Sequence, residues 1–314
     1  MSQTTVKPAV AFVGSTGLLG KSMVPIFAQA ANSGELSELR LLVSSTPKLW
    51  LERLISDTVK IVQVNYADQK ALENALQGVD VVVSALGTNG TEVARRNLIN
   101  AAVAAKIKAY VPSEYGSDMD VNPYPLPMFE EKQAHLREAK AAGLKTISLL
   151  TGFFLETIFS PPFGFISATN TWNLPDSGSN RFAVTSMADI GRYTLRAVIL
   201  VFEEPEKALE KLRILGDNST LDEYAAAFES ISGEPPTKNT ISRDQLKANF
   251  DADGTIVELV KLLVADGLAD FTENDNELLN PGQKYFKPKT VAEYAKEVGG
   301  KPWITIHSPE IDAS

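Results

Sequence analysis

The chain has 314 residues, 44% apolar and 22% charged, which is the balance of a soluble globular protein long enough for one large α/β domain and a smaller lobe. Its formal net charge of −9 works against nucleic acid and anionic membranes as partners. Cysteine is absent and the only histidines are His135 and His307, so disulfides, thiolate chemistry and a resident metal are not expected.

The stretch Met1 to Lys7 is polar, without a basic-then-apolar leader, and no apolar run reaches the roughly 18 to 20 residues of a bilayer span. A cytoplasmic location follows, in which the sequons at Asn89 and Asn218 carry no meaning. Strands are expected at Ala9 to Val13, Leu39 to Val43, Val59 to Val64, Val79 to Ser84, Ala109 to Val111 and Thr146 to Thr151. Most are continuously apolar, as parallel strands buried on both faces are. Helices are expected between them at Leu18 to Ala31, Gln69 to Leu76, Thr91 to Ala105 and Phe129 to Ala142, with Gly34, Gly78 and Gly143 placed as stops. This alternation specifies a Rossmann-type doubly wound parallel sheet.

After Thr151 the rhythm breaks. Gly152 to Arg181 reads as irregular, with one short helix, before a regular segment from Phe182 whose helix runs from Asp189 to about Phe202. Lys211 to Leu215 reads as a strand, Thr220 to Glu223 has capping-box spacing, and from Ser230 on the chain reads as helical and polar. The expected division is a nucleotide domain over 1–155 with a return segment at about 182–203, and a smaller substrate lobe from 156–181 and 204–314.

The run Val10 to Lys21 holds Gly14, Gly17 and Gly20 in G-x-x-G-x-x-G spacing, between a buried strand and a helix. Gly14 permits the tight turn, Gly17 lets backbone approach a pyrophosphate, and Gly20 lets the helix pack closely on the strand. Ser15, Thr16, Leu18 and Leu19 complete this cofactor loop, whose helix N-terminus offers free N–H groups to phosphate. The second strand ends in Ser44, Ser45 and Thr46 with Lys48 beyond, and without the acid that NAD binders place there. That favours NADP, its 2′-phosphate held by Ser44, Ser45 and Lys48. Small residues after the fourth strand, Ala85, Leu86 and Gly87, suit the same crevice.

Two Tyr-x-x-x-Lys matches, Tyr66 with Lys70 and Tyr285 with Lys289, stand in the wrong places for a short-chain dehydrogenase pair and read as accidental. At the right place, after the fifth strand, stands Val111-Pro112-Ser113-Glu114-Tyr115-Gly116, followed after a loop by Phe129-Glu130-Glu131-Lys132. Here the sequence resembles the isoflavone reductase and phenylcoumaran benzylic ether reductase group of the NmrA-like, atypical short-chain dehydrogenases. That group carries Pro-Ser-Glu-Phe-Gly and then Phe-x-x-Lys. Tyr115 stands for the phenylalanine, and the loop is slightly shorter. Asp80 to Gly87, Thr151-Gly152-Phe153-Phe154 and Asp189-Ile190-Gly191 add further matches in order. One departure is Ser44, where the plant enzymes carry an arginine for the 2′-phosphate.

The resemblance implies an NADP-dependent oxidoreductase in which Lys132 is the catalytic general acid/base beside the nicotinamide. Its pKa would be lowered by a dry pocket and the cofactor's charge. Ser113, Lys132 and Phe153 would join the cofactor set, with Glu114 holding the loop or the cofactor amide or capping the structure. Met128 and Phe154, with Phe153 and the Pro161-Pro162-Phe163 segment, would line an aromatic-friendly substrate pocket. His135 shares the face of Lys132, a place for tuning or relay, although the plainer reading is a packing histidine. The function expected is reduction of a small aromatic or conjugated molecule by NADPH. Its alternatives are a non-catalytic NADP-sensing regulator with a protein partner, and an epimerase-like enzyme that would want the missing Tyr-x-x-x-Lys pair. Homodimerisation is left open.

Overall fold

The computed structural model describes residues 7–87 and 92–302. The sequon at Asn89, the stretch before Lys7 and His307 lie outside the described residues. The first half holds β1 (Ala9–Val13), α1 (Leu18–Ser33), β2 (Glu38–Val43), β3 (Val59–Gln63), α2 (Gln69–Leu76), β4 (Val81–Ser84), α3 (Glu92–Ala104), β5 (Ala109–Val111) and α4 (Pro127–Ala141). Its five strands form one parallel sheet in the order β3-β2-β1-β4-β5. A bridge between Tyr110 and Thr146 leads on to β6 (Ser148–Leu150). The expected Rossmann arrangement is therefore present, and the strand order reverses between β1 and β4, where a doubly wound sheet opens its ligand crevice.

Both faces of this sheet are covered, which is why its strands are apolar without alternation. On one face Val10 and Phe12 of β1 meet Met23 and Phe27 of α1, all fully buried. The Phe12 and Phe27 rings meet edge-on at 5.4 Å. Burying each such side chain contributes about 1.5–3 kcal/mol. On the other face Ala11, Val82 and Tyr110 pack against Leu72, Leu98 and Ala139 of α2, α3 and α4.

Beyond β6 come β7 (Phe153–Phe154), β8 (Thr171–Pro175), β9 (Phe182–Thr185), α5 (Met187–Glu203), β10 (Lys211–Arg213), β11 (Asp217–Ser219) and α6 (Leu221–Ser232). The chain continues through β12 (Thr237–Ile241), α7 (Arg243–Asp253), α8 (Ile256–Ala265) and α9 (Val291–Glu297). The return segment divides its loyalties. Helix α5 packs on α1, because Gly191 brings its backbone against Met23 and Ile26, where a β-carbon would stand 3.0 and 2.8 Å from their nearest atoms. Strand β9, by contrast, pairs with β7 and β11 in a separate three-stranded sheet.

Two expectations are corrected. Gly152 to Arg181 is not simply irregular, since β8 runs through it with Trp172 and Leu174 buried. The region after Ser230 is neither wholly helical nor polar. Strand β12 pairs in parallel with β8, and α8 is an apolar helix with six buried residues. The lobe has its own core, in which Phe159 meets the rings of Phe165, Trp172, Tyr224 and Phe228 at 5.1–6.0 Å. Among the described residues no helix is long and apolar enough to cross a membrane.

Candidate active site

The β1–α1 turn shows what each glycine is for. Gly14 has φ +87°, and a β-carbon on it would stand 2.5 Å from the Ala85 carbonyl oxygen, so the loop passes directly against the end of β4. A β-carbon on Gly20 would stand 2.0 Å from the Gly14 carbonyl oxygen. Its close packing is thus against the loop rather than the strand. Gly17 is different: the corresponding distance is an ordinary 3.4 Å, so only a ligand would need that space. Gly17 caps α1 without any side-chain hydrogen bond, leaving first-turn N–H groups open. The Ser15 hydroxyl is buried with no hydrogen-bond partner, Thr16 is exposed, and Leu18 projects from the helix start at 61% exposure. A loop with free donors, an unpartnered buried hydroxyl and room at Gly17 fits a dinucleotide phosphate.

Above the crevice lies a cavity of about 320 Å³. Of the residues singled out in the sequence it brings together Gly17, Leu18, Leu19, Ala85, Gly87, Ser113, Met128, Lys132, Phe153 and Phe154. Gly14, Ser15, Thr16 and Gly20 stand behind that wall in the loop. Ser44 lines a separate shallow cleft with Gln63, Asn65, Tyr66 and Ala94, while Ser45 and Lys48 are exposed beyond β2. Leu86 turns into a smaller chamber shared with Lys132. Neither Tyr-x-x-x-Lys match enters the cavity: the Tyr66 hydroxyl donates to the Leu42 carbonyl at 3.1 Å, and Tyr285 is surface-exposed.

Helix α4 carries the reactive candidate. Pro127 begins it, a first-turn position where a missing N–H costs nothing. Met128 and Phe129 then sit three or four residues before Lys132 and share its face; the Lys132 ammonium lies 5.9 Å from the Phe129 ring centroid. Burial holds the Lys132 pKa below the usual lysine value; the Glu114 carboxylate opposes this and the Arg95 guanidinium adds to it. Glu114 is 9% exposed. Burial raises its pKa, against the pull of Lys132. Glu131 points elsewhere, accepting from Arg95 Nη1 at 2.9 Å. His135 faces the sheet, its Nε2 2.7 Å from the Tyr110 hydroxyl, and burial pushes its pKa down to about 4, with help from Arg95.

Sequence reasoning missed a whole wall. Ile256, Val260 and Leu263 of α8 close the cavity from the lobe, together with Thr157 and Ile158, beside Phe163 of the Pro161-Pro162-Phe163 segment that the sequence offers as a pocket wall. The apolar run of α8 was visible in the sequence, but nothing in it says which surface it covers. Tyr115 and Gly116 of the matched motif, and Ser117 just after it, also line the cavity. The intervening loop is anchored by Asp118, which accepts from Lys211 at 3.0 Å and Arg213 at 2.7 Å on β10.

The fold and this loop define a Rossmann protein whose first turn fits a dinucleotide phosphate, with an apolar cavity at the switch point. The sequence matches the NmrA-like family over residues 6–295, and the chain belongs to that family. It is 27% identical over 260 residues to a phenylcoumaran benzylic ether reductase of Pyrus communis, covering 78% of this chain and 81% of that protein. Among solved structures it resembles an isoflavone reductase, with TM-score 0.77 and 20% identity over 93% of this chain and 100% of the other. A leucoanthocyanidin reductase–NADPH complex from Vitis vinifera gives TM-score 0.75 at 18% identity, over 92% of this chain and 98% of the other.

Proposed function

We propose that the chain is an NADPH-dependent reductase of a small, uncharged aromatic or conjugated molecule, with Lys132 as general acid/base. The observation that carries the reading is the placement of Lys132 on the wall of an otherwise apolar cavity that also exposes Gly17 to Leu19 of the phosphate loop. Relatives that are reductases, and a neighbour holding NADPH, support the cofactor and the reaction type.

Lys132 is the one charged side chain of the cavity among the described residues, beside Phe129, Phe153, Phe154 and Phe163. Such a lining favours an aromatic body and gives an anionic substrate no second partner. Gly14 to Gly20 and the α1 N-terminus would hold the pyrophosphate. Ser44, Ser45 and Lys48 would meet the 2′-phosphate, in the absence of the arginine seen in the plant pattern. When bound, NADPH supplies the hydride. The chain's own part is to exclude water around the acceptor and to give up a proton from Lys132 Nζ to the substrate atom that gains negative charge.

Fluorescence titration with NADPH and NADH, followed by turnover of aromatic carbonyl and conjugated substrates, tests this. Lys132→Ala is expected to lower turnover about 10²–10⁴-fold while NADPH still binds. Because protonated Lys132 is the active form, wild-type turnover should fall with rising pH along a limb below the ordinary lysine range. Full turnover by Lys132→Ala would remove the lysine from the chemistry and leave a cofactor-binding regulator, and absence of dinucleotide binding would remove the whole reading.

A further inference from the structure

A second chamber, of about 20 Å³, shares Lys132 and Ser113 with the cavity and is otherwise walled by Ser84, Leu86, Arg95, Glu114 and His135. A single water needs roughly 10–15 Å³ on this scale and two to four polar partners. The chamber meets both conditions, with an ammonium, a carboxyl, hydroxyls and an imidazole on its wall. The imidazole is the informative one. His135 Nε2 is engaged by the Tyr110 hydroxyl at 2.7 Å, whereas Nδ1 is buried with no hydrogen-bond partner. Either neutral tautomer leaves Nδ1 with one hydrogen bond to make, and a buried nitrogen without a partner costs about 1–3 kcal/mol.

We infer that Glu114 returns the proton to Lys132 through this chamber, by way of one water molecule positioned by His135 Nδ1. The inference rests on the reading of Lys132 as the acid and adds the route by which it is recharged. After Lys132 Nζ has lost a proton to the substrate, the neutral amine takes one from the water. The water oxygen takes one from the Glu114 carboxyl, and the resulting carboxylate regains its proton from solvent. Every bond broken is an O–H or N–H bond, and each is remade. Glu114 is itself 9% exposed, and the charges of Asp120 and Lys211, whose side chains are 67% and 37% exposed, act on it. Burial brings the two partners closer in acidity, raising Glu114 and lowering Lys132. Narrowing that gap lowers the climb for proton transfer between them. Among the described residues the charged and titratable groups around Lys132 are thus Arg95 from α3, His135 on its own helix with Tyr110 behind it, Glu114 after β5, and Tyr115 on the cavity side.

The test uses the full chain with NADPH and an accepted substrate, in rapid-mixing and steady-state modes. In Glu114→Gln, at a pH below the variant's own lysine titration, the first turnover starts from a charged lysine, so its rate should stay near the wild-type value. Steady-state turnover should fall about ten-fold or more and acquire a solvent isotope effect. His135→Leu keeps the carboxyl and should give the same burst with a milder steady-state loss. Equal slowing of both phases, or steady-state rates near wild type in both variants, overturns the route. A second measurement needs no substrate: the pH titration of the Lys132 amine, followed by NMR after isotopic methylation and assigned with Lys132→Arg. Removing the Glu114 charge should move that titration to lower pH, and an unmoved titration overturns the coupling. If wild type turns over nothing, the reductase reading fails, while the lysine titration still decides whether Glu114 and Lys132 act as a pair.

Discussion

A β-carbon on Gly20 would lie 2.0 Å from the Gly14 oxygen, but one on Gly17 would meet nothing closer than 3.4 Å. The same methyl group therefore has opposite consequences three residues apart. Gly20→Ala must push the turn open, which for an overpacked site costs about 1–3 kcal/mol, so both the urea midpoint and NADPH affinity should drop. Gly17→Ala should leave the urea midpoint unchanged and weaken NADPH binding alone, because its methyl occupies space reserved for the ligand. Equal loss of stability in the two variants would show that both glycines serve the fold. The spacing of these glycines was fully legible in the sequence, as was Lys132 through its motif. What could not be read was the direction each side chain takes. His135 and Tyr110 are 25 residues apart, and only the packing of α4 on β5 brings the imidazole to the phenol and Glu114 to the lysine's rear chamber.

Elements were legible in proportion to how far their own residues specify them. Helix α6 announces itself through Thr220 and Glu223, and the capping box is formed as spelled. The Thr220 hydroxyl accepts from the Glu223 N–H at 3.2 Å, and the Glu223 carboxylate accepts from the Thr220 N–H at 2.8 Å. Thr220→Ala should cost about 1 kcal/mol in chemical denaturation, with NADPH binding untouched, and a neutral result would mean that the helix is held by Tyr224 and Phe228 alone. Strand β12 shows the opposite case. Its sequence Thr-Lys-Asn-Thr-Ile is polar and mostly exposed, so it lacks the alternation from which strands are read. It exists because β8 offers its edge in register from Thr171 to Pro175. Trp172 and Leu174 of β8 do alternate inward, but within a stretch rich in proline, glycine and asparagine that pattern spans only two residues.

At the scale of the whole molecule, the cavity belongs to two cores at once, and its shape depends on what holds the lobe to the loop ahead of α4. That junction is a clasp. The Tyr124 hydroxyl meets Asp266 at the end of α8 and accepts from Arg243 Nη2 at 2.8 Å, while Arg243 Nε donates to Asp266 Oδ1 at 2.8 Å. Tyr124 leads straight into Leu126 and Pro127, the start of the helix that carries Lys132. The Arg243 hydrogen bond holds the Asp266 carboxyl below its ordinary value, against burial and with help from Tyr124. A depressed carboxylate contributes its stability fully above the ordinary value of about 3.9 and loses it as pH falls through the depressed one. Wild-type stability should therefore decline more steeply than that of Asp266→Asn on acidification below about pH 4, although the variant starts lower at neutral pH. Because the clasp ties the loop before α4 to the end of α8 and touches none of the phosphate loop, Asp266→Asn is expected also to raise KM for the substrate while leaving the NADPH dissociation constant alone. Parallel stability curves for the two proteins would mean that Asp266 titrates alike folded and unfolded. An equal rise in both binding constants would mean that the clasp braces the phosphate-loop side of the cavity as well as the wall formed by α8.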